Sequence, residues 1–148
     1  MIEDFRDLLR EFVAHQVTFL VVGAHALAVH GVPRATGDLD VLVQANPENA
    51  ARVLAALASF GAPLDDLGIL LDDFVRADVV AQLGLPPYRI DILTSISGVA
   101  FDSAWEDRVE GSVAGVDVPV LGLASFRKNK RASGRPKDLA DLRAVGEE

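Results

Sequence analysis

Residues 21–43 read VVGAHALAVHGVPRATGDLDVLV. The β-branched and aromatic run from Thr18 to Val22 predicts a buried strand, and Gly23 breaks it. Ala24 to His30 is Ala-rich, short and bounded by Gly31 and Pro33, which fits a helix of two turns. After GVPRATG comes a second buried strand, Leu39 to Val43, with the carboxylates of Asp38 and Asp40 at its very start. Strand, glycine turn, short helix and acid-headed strand follow one another without a gap.

The flanking chain extends this pattern. Ile2, Phe5, Leu8, Leu9 and Phe12 form an apolar face that predicts a surface helix over 2–14. Pro47 opens a strongly periodic helix that runs to about Phe60 and closes at Gly61. Leu70 to Phe74 reads as one helical turn. Val79 to Leu83 and Tyr88 to Leu93 read as strands joined by Gly-Leu-Pro-Pro, where Pro86 and Pro87 restrict backbone pairing. Phe101 to Val109 is expected to be a short helix carrying Trp105, and Val116 to Leu121 a further strand. Two short helices, about 124–131 and 136–145, are split by Ser133-Gly134-Arg135. With no repeat or linker in sight, residues 1–148 are expected to be one mixed, two-layer α/β domain with a basic helical segment at 124–146.

Composition narrows the function. Half of the 148 residues are hydrophobic and 24% are charged, which excludes a disordered or fibrous chain. There is no cysteine, hence no disulfide, thiol nucleophile or thiolate metal site. No apolar stretch approaches the roughly 20 residues of a membrane span, and the acidic start is unlike a signal peptide, so a cytoplasmic location is expected. The net charge of -8 divides into -11 over residues 1–126 and +3 over 127–148. So acidic a body argues against extended nucleic-acid binding. A local anion site, or a local RNA contact, belongs in the tail.

The carboxylates are the informative part. Period two puts Asp38 and Asp40 on one strand face with Leu39 turned inward. Like charges so close repel unless a cation lies between them. Asp91, within Arg-Ile-Asp-Ile-Leu, is a carboxylate in an apolar strand and needs a partner. If the two strands are neighbours, the three acids meet at one edge and suit Mg²⁺ or Mn²⁺ acting on phosphates. Blander readings stand beside this one: Asp38 as a turn cap, Asp91 as an ion-pair partner. Gly23, at a strand end just before a helix, is placed to offer backbone N–H groups to phosphate.

On these residues, 21–43 resembles the signature of the nucleotidyltransferase superfamily, the polymerase-beta-type fold in minimal form. The segments GLPPYRIDILTSISGVAFDSAW and FRKNKRASGRPKDLADL resemble small bacterial nucleotidyltransferase-like proteins related to antibiotic nucleotidyltransferases and to toxin–antitoxin enzymes. The resemblance implies a mixed sheet with helices packed mainly on one side. It implies that Asp38 and Asp40 hold both metal ions, and that Asp91 binds the catalytic ion and orients the attacking hydroxyl. Gly23 and the helix start beyond it would cradle the triphosphate of a nucleoside triphosphate donor. The acceptor hydroxyl is left open. Family turns carry Gly or Ser after the first Gly, where this chain has Ala24, and larger relatives carry an extra helical domain. Both departures leave room for a second reading: a non-catalytic nucleotide- or protein-binding module, antitoxin-like or dependent on a homodimer or protein partner.

Further candidates surround this core. Lys130, Arg135 and Lys137 flank a glycine turn and are placed to meet phosphate if the last helices cover the sheet; a solvated basic face is the alternative. Arg34 precedes the Asp-Leu-Asp by four residues and is a candidate for the same pocket, as is His25 just beyond the glycine turn. Asp138 and Asp141 are expected to be structural, pairing with Lys130 or Arg135. Three unclustered histidines do not suggest zinc, and single Trp105 and Tyr88 do not make a base-stacking platform.

Overall fold

The computed structural model describes residues 2–34, 36–85 and 88–146. Helix α1 (Ile2–Ala14) buries Phe5, Leu8, Leu9 and Phe12 along one face, as its spacing predicts. Strand β1 (Phe19–Val22) runs directly into α2 (Gly23–Val29), and β2 (Asp38–Val43) leads to α3 (Pro47–Phe60). A one-turn helix, α4 (Leu64–Leu67), and a 3₁₀ turn (Leu71–Phe74) precede β3 (Val80–Leu85) and β4 (Tyr88–Leu93). The chain ends with α5 (Phe101–Glu106), β5 (Val109–Val113), β6 (Val116–Val120), α6 (Leu123–Ser133) and α7 (Pro136–Ala144). Pro86 and Pro87 lie outside the described residues.

The six strands form one sheet in the order β3-β4-β2-β1-β6-β5. The pairs β1–β2, β3–β4 and β5–β6 are antiparallel, whereas β2–β4 and β1–β6 are parallel. The protein is therefore a mixed α/β fold, with helices packed around a mixed sheet. Because β4 returns beside β2 after the α3 crossover, the two acid-bearing strands are neighbours.

Strand β5 escapes the sequence reading for physical reasons. It is an edge strand, mostly exposed, and Glu110-Gly111-Ser112 has no β propensity. Gly111 is needed there because a Cβ would press within about 3 Å of both Val29 methyl groups on α2. The β5–β6 turn places Ala114 and Gly115 at φ 50° and 79°, a two-residue hairpin that ordinarily advertises itself with Asn or Asp in the first position.

One buried amide locks the core's polar seam. Asn49, 2% exposed, accepts from Thr18 N at 2.8 Å and donates to Thr18 O at 3.0 Å and Gln44 O at 2.9 Å. It thereby ties the first turn of α3 to the start of β1 and the chain just after β2. Asn49→Leu strands Thr18 N–H and Gln44 C=O away from water, and is expected to cost roughly 2–4 kcal/mol in urea unfolding.

Candidate functional site

Parallel pairing of β2 and β4 sets Asp40 opposite Asp91, and Asp38 opposite Arg89. Neighbouring strands lie about 4.8 Å apart, so these side chains share one face at close quarters. They line a cleft of about 610 Å³ together with Gly23 from the start of α2. Its other wall carries Asn129, Lys130 and Ser133 of α6, then Arg135 and Lys137 at the entry to α7.

Charge in the cleft is poorly compensated. Burial, reinforced by the charges of Asp91 and Asp38, pushes the Asp40 carboxyl up to about 6 against the opposing pull of Lys130 and Arg89. Arg89 reaches between the other two acids: Nε lies 3.1 Å from Asp91 Oδ1 and Nη2 3.5 Å from Asp38 Oδ2. The first contact is close but misaligned, since Arg89 Nε and Asp91 Oδ1 are both buried without a hydrogen bond. With the guanidinium between them, the acids do not converge on one point, and among the described residues no group of three or more His, Cys, Asp or Glu side chains is arranged to hold a metal ion. The donor chemistry nevertheless fits a hard divalent cation. The set is all oxygen, Asp91 Oδ1 accepts no hydrogen bond, and Asp40 has no hydrogen-bonding or ion-pair partner among the described residues.

Gly23 meets a steric demand that the sequence did not reveal. Its φ is +70°, and a Cβ there would overlap Asp40 Oδ2. Gly23→Ala is accordingly expected to lose about 1–3 kcal/mol in thermal melts and to displace the Asp40 carboxylate. Ala24 and His25 follow in α2 but do not line the cleft. His25 instead packs edge-on against Phe5, 5.7 Å between centroids, and burial holds its imidazole below the ordinary value against the smaller opposing pull of the Asp38 backbone.

Arg34 is likewise drawn elsewhere. Its Nη2 pairs with Asp141 Oδ1 at 2.6 Å. Asp141 also lies 3.8 Å from Lys130 Nζ, which is 3.4 Å from Asp138 Oδ1, and Asp138 takes Arg135 Nε at 2.7 Å. This alternating chain of charges clamps α7 to α6 and to the loop before β2. Lys130 is thus a nearly buried cation held by two carboxylates, while Arg135 and Lys137 are exposed at the rim.

No protein-family model matches the sequence, and neither does any curated protein. Solved structures do. A candidate nucleotidyltransferase from Thermotoga maritima, TM1012, aligns with a TM-score of 0.59 and 19% identity over 95% of this chain and 88% of its own. The chain has a nucleotidyltransferase-like fold. The lincosamide antibiotic adenylyltransferase LnuA, in its lincomycin-bound structure, shows the same relationship, with a TM-score of 0.53 and 14% identity over 97% and 94% of the two chains.

Several polar lining residues were not singled out from sequence, Arg89, Asp78 and Ser95 among them. Arg89 sits two residues before Asp91 and so shares its face, but its part between the acids depends on the β2–β4 register. Asp78 and Ser95, at the far end of the cleft, belong to no motif.

Proposed function

We propose that the chain is a metal-dependent nucleotidyltransferase that moves a nucleoside monophosphate from a nucleoside triphosphate to an acceptor hydroxyl. The observation that supports this most is the pairing of Asp40 with Asp91, with Asp38 alongside, in a cleft whose opposite wall is cationic. Asp38, Asp40 and Asp91 would hold Mg²⁺ or Mn²⁺, which supplies charge neutralisation for the entering and departing oxygens. Asp91 would orient the incoming hydroxyl and accept its proton. Arg135 and Lys137 meet the triphosphate, and Arg89, released from the acids, is a further donor to it. The hydroxyl oxygen bonds to the α-phosphorus as the bond to the bridging oxygen breaks, and pyrophosphate leaves with the electron pair. Gly23 serves by leaving room for Asp40.

The test is transfer of label from each α-³²P nucleoside triphosphate, with Mg²⁺ or Mn²⁺, into RNA, protein and small-molecule pools. An Asp38→Asn/Asp40→Asn protein runs alongside. Label that requires the carboxylates supports the reading, and label that survives their loss contradicts it. The Arg89 bridge favours a second reading, in which Arg89 holds Asp38 and Asp91 away from a metal and the chain is a nucleotide- or protein-binding module, antitoxin-like or partner-dependent. Nucleotide binding without transfer, together with a stable complex with a co-expressed neighbour, would support that module.

A further inference from the structure

Strands β2 and β4 set four charged side chains at the corners of a rectangle on one face. Asp38 stands opposite Arg89, and Asp40 opposite Asp91. The sides measure about 4.8 Å across the strands and about 6.6 Å along them. Three corners are acids and the fourth is a guanidinium. Arg89 reaches from its own corner to two of the others, with Nε 3.1 Å from Asp91 Oδ1 and Nη2 3.5 Å from Asp38 Oδ2. Its charge also pulls on Asp40.

Neither contact is a strong one. The first leaves both of its atoms without a hydrogen bond, and the second is at the limit of hydrogen-bonding distance. Lys130, the other cation that acts on Asp40, is nearly buried and held by Asp138 and Asp141. The Arg89 side chain, by contrast, is 31% exposed at the cleft wall. Arg89 is thus the cation in a position to exchange partners.

We propose that Arg89 is a positioning residue that makes the divalent cation and the triphosphate bind together rather than singly. This rests on the cation site of the reading above and names how that site is regulated. A bare divalent cation entering among the three acids has to displace the guanidinium and is left beside an unpaired positive charge. A cation that arrives with a triphosphate avoids this cost. The displaced guanidinium then takes phosphate oxygens in place of the carboxylates, a planar fork meeting an anion of matching shape. Each ligand therefore raises the affinity for the other by the same factor.

The experiment measures protein-bound Mn²⁺ by ultrafiltration for the parent, Arg89→Gln and Arg89→Lys. Each is titrated without nucleotide and then with an α,β-methylene nucleoside triphosphate. Without nucleotide, Arg89→Gln should bind Mn²⁺ roughly tenfold tighter than the parent. Arg89→Lys should also bind it more tightly, because an ammonium keeps the charge but does not span two carboxylates. With the analogue the order should reverse, the parent holding Mn²⁺ and nucleotide most tightly. A nucleotide-free affinity in Arg89→Gln equal to or weaker than the parent's overturns the proposal. An Arg89→Lys protein that matches the parent reduces the effect to charge alone and overturns the bridging role. An order that the nucleotide leaves unchanged overturns the coupling. The expected pattern in a protein that transfers no label would uphold the coupling and take down the transferase reading. Mn²⁺ bound by none of the three proteins, even with the analogue, takes down the cation site and this inference with it.

Discussion

Asp40→Asn is expected to abolish nucleotidyl transfer, by roughly 1,000-fold or more, while making the metal-free protein more stable at pH 8. The activity loss corresponds to about 4 kcal/mol of transition-state stabilisation. The gain in stability follows from the direction of the Asp40 shift. Its folded value of about 6 lies above the ordinary value near 3.8, so its favourable contribution is complete below 3.8 and is lost as pH rises through about 6. At pH 8 the charged group therefore costs up to about 3 kcal/mol, which asparagine removes. At pH 4 the variant and the parent should melt together. Activity and thermal melts at the two pH values check all three statements; a variant that loses activity and stability alike would mean that Asp40 serves the fold.

Asp138→Ala is expected to have the largest effect on stability. Asp138 is fully buried, accepts from both Arg135 N and Arg135 Nε, and faces Lys130. Its removal leaves Lys130 buried with only the longer contact to Asp141 and uncaps α7. The expected cost is about 3–5 kcal/mol in denaturant unfolding. Burial alone would raise the Asp138 carboxyl, but hydrogen bonds from Arg135, the nearby Ser133 hydroxyl and the charge of Lys130 hold it well below the usual carboxylate range. Its stabilisation is therefore present above the ordinary value near 3.8 and fades as pH falls further. The parent should lose stability in that acid range, and Asp138→Ala should show a flatter acid limb.

The parts legible in the sequence were those with strong local signals. α3 declared both ends through Pro47 and Gly61, and β1, β2 and β4 announced themselves as buried, β-branched runs. The pairing of Lys130 and Arg135 with Asp138 was legible too, because charges three and eight residues apart around a glycine turn have few other partners. What stayed hidden depends on contacts distant in sequence. Arg34 reaches Asp141 because α7 folds back over the loop before β2. His25 turns to Phe5 on α1, a neighbour that no local pattern names. Gly23 looked like a phosphate turn, yet its first constraint is the side chain of Asp40 on the next strand, beyond α2 and a loop. Arg89 acquired a role only once β4 lay beside β2.

The central claim is that Asp38, Asp40 and Asp91 form a divalent-cation site for a bound triphosphate. Mn²⁺ binding followed by electron paramagnetic resonance, in the presence of an α,β-methylene nucleoside triphosphate, tests it most directly. The parent protein should bind Mn²⁺, and Asp40→Asn and Asp91→Asn should each weaken that binding by roughly tenfold or more. Equal Mn²⁺ affinity in all three proteins would contradict the account.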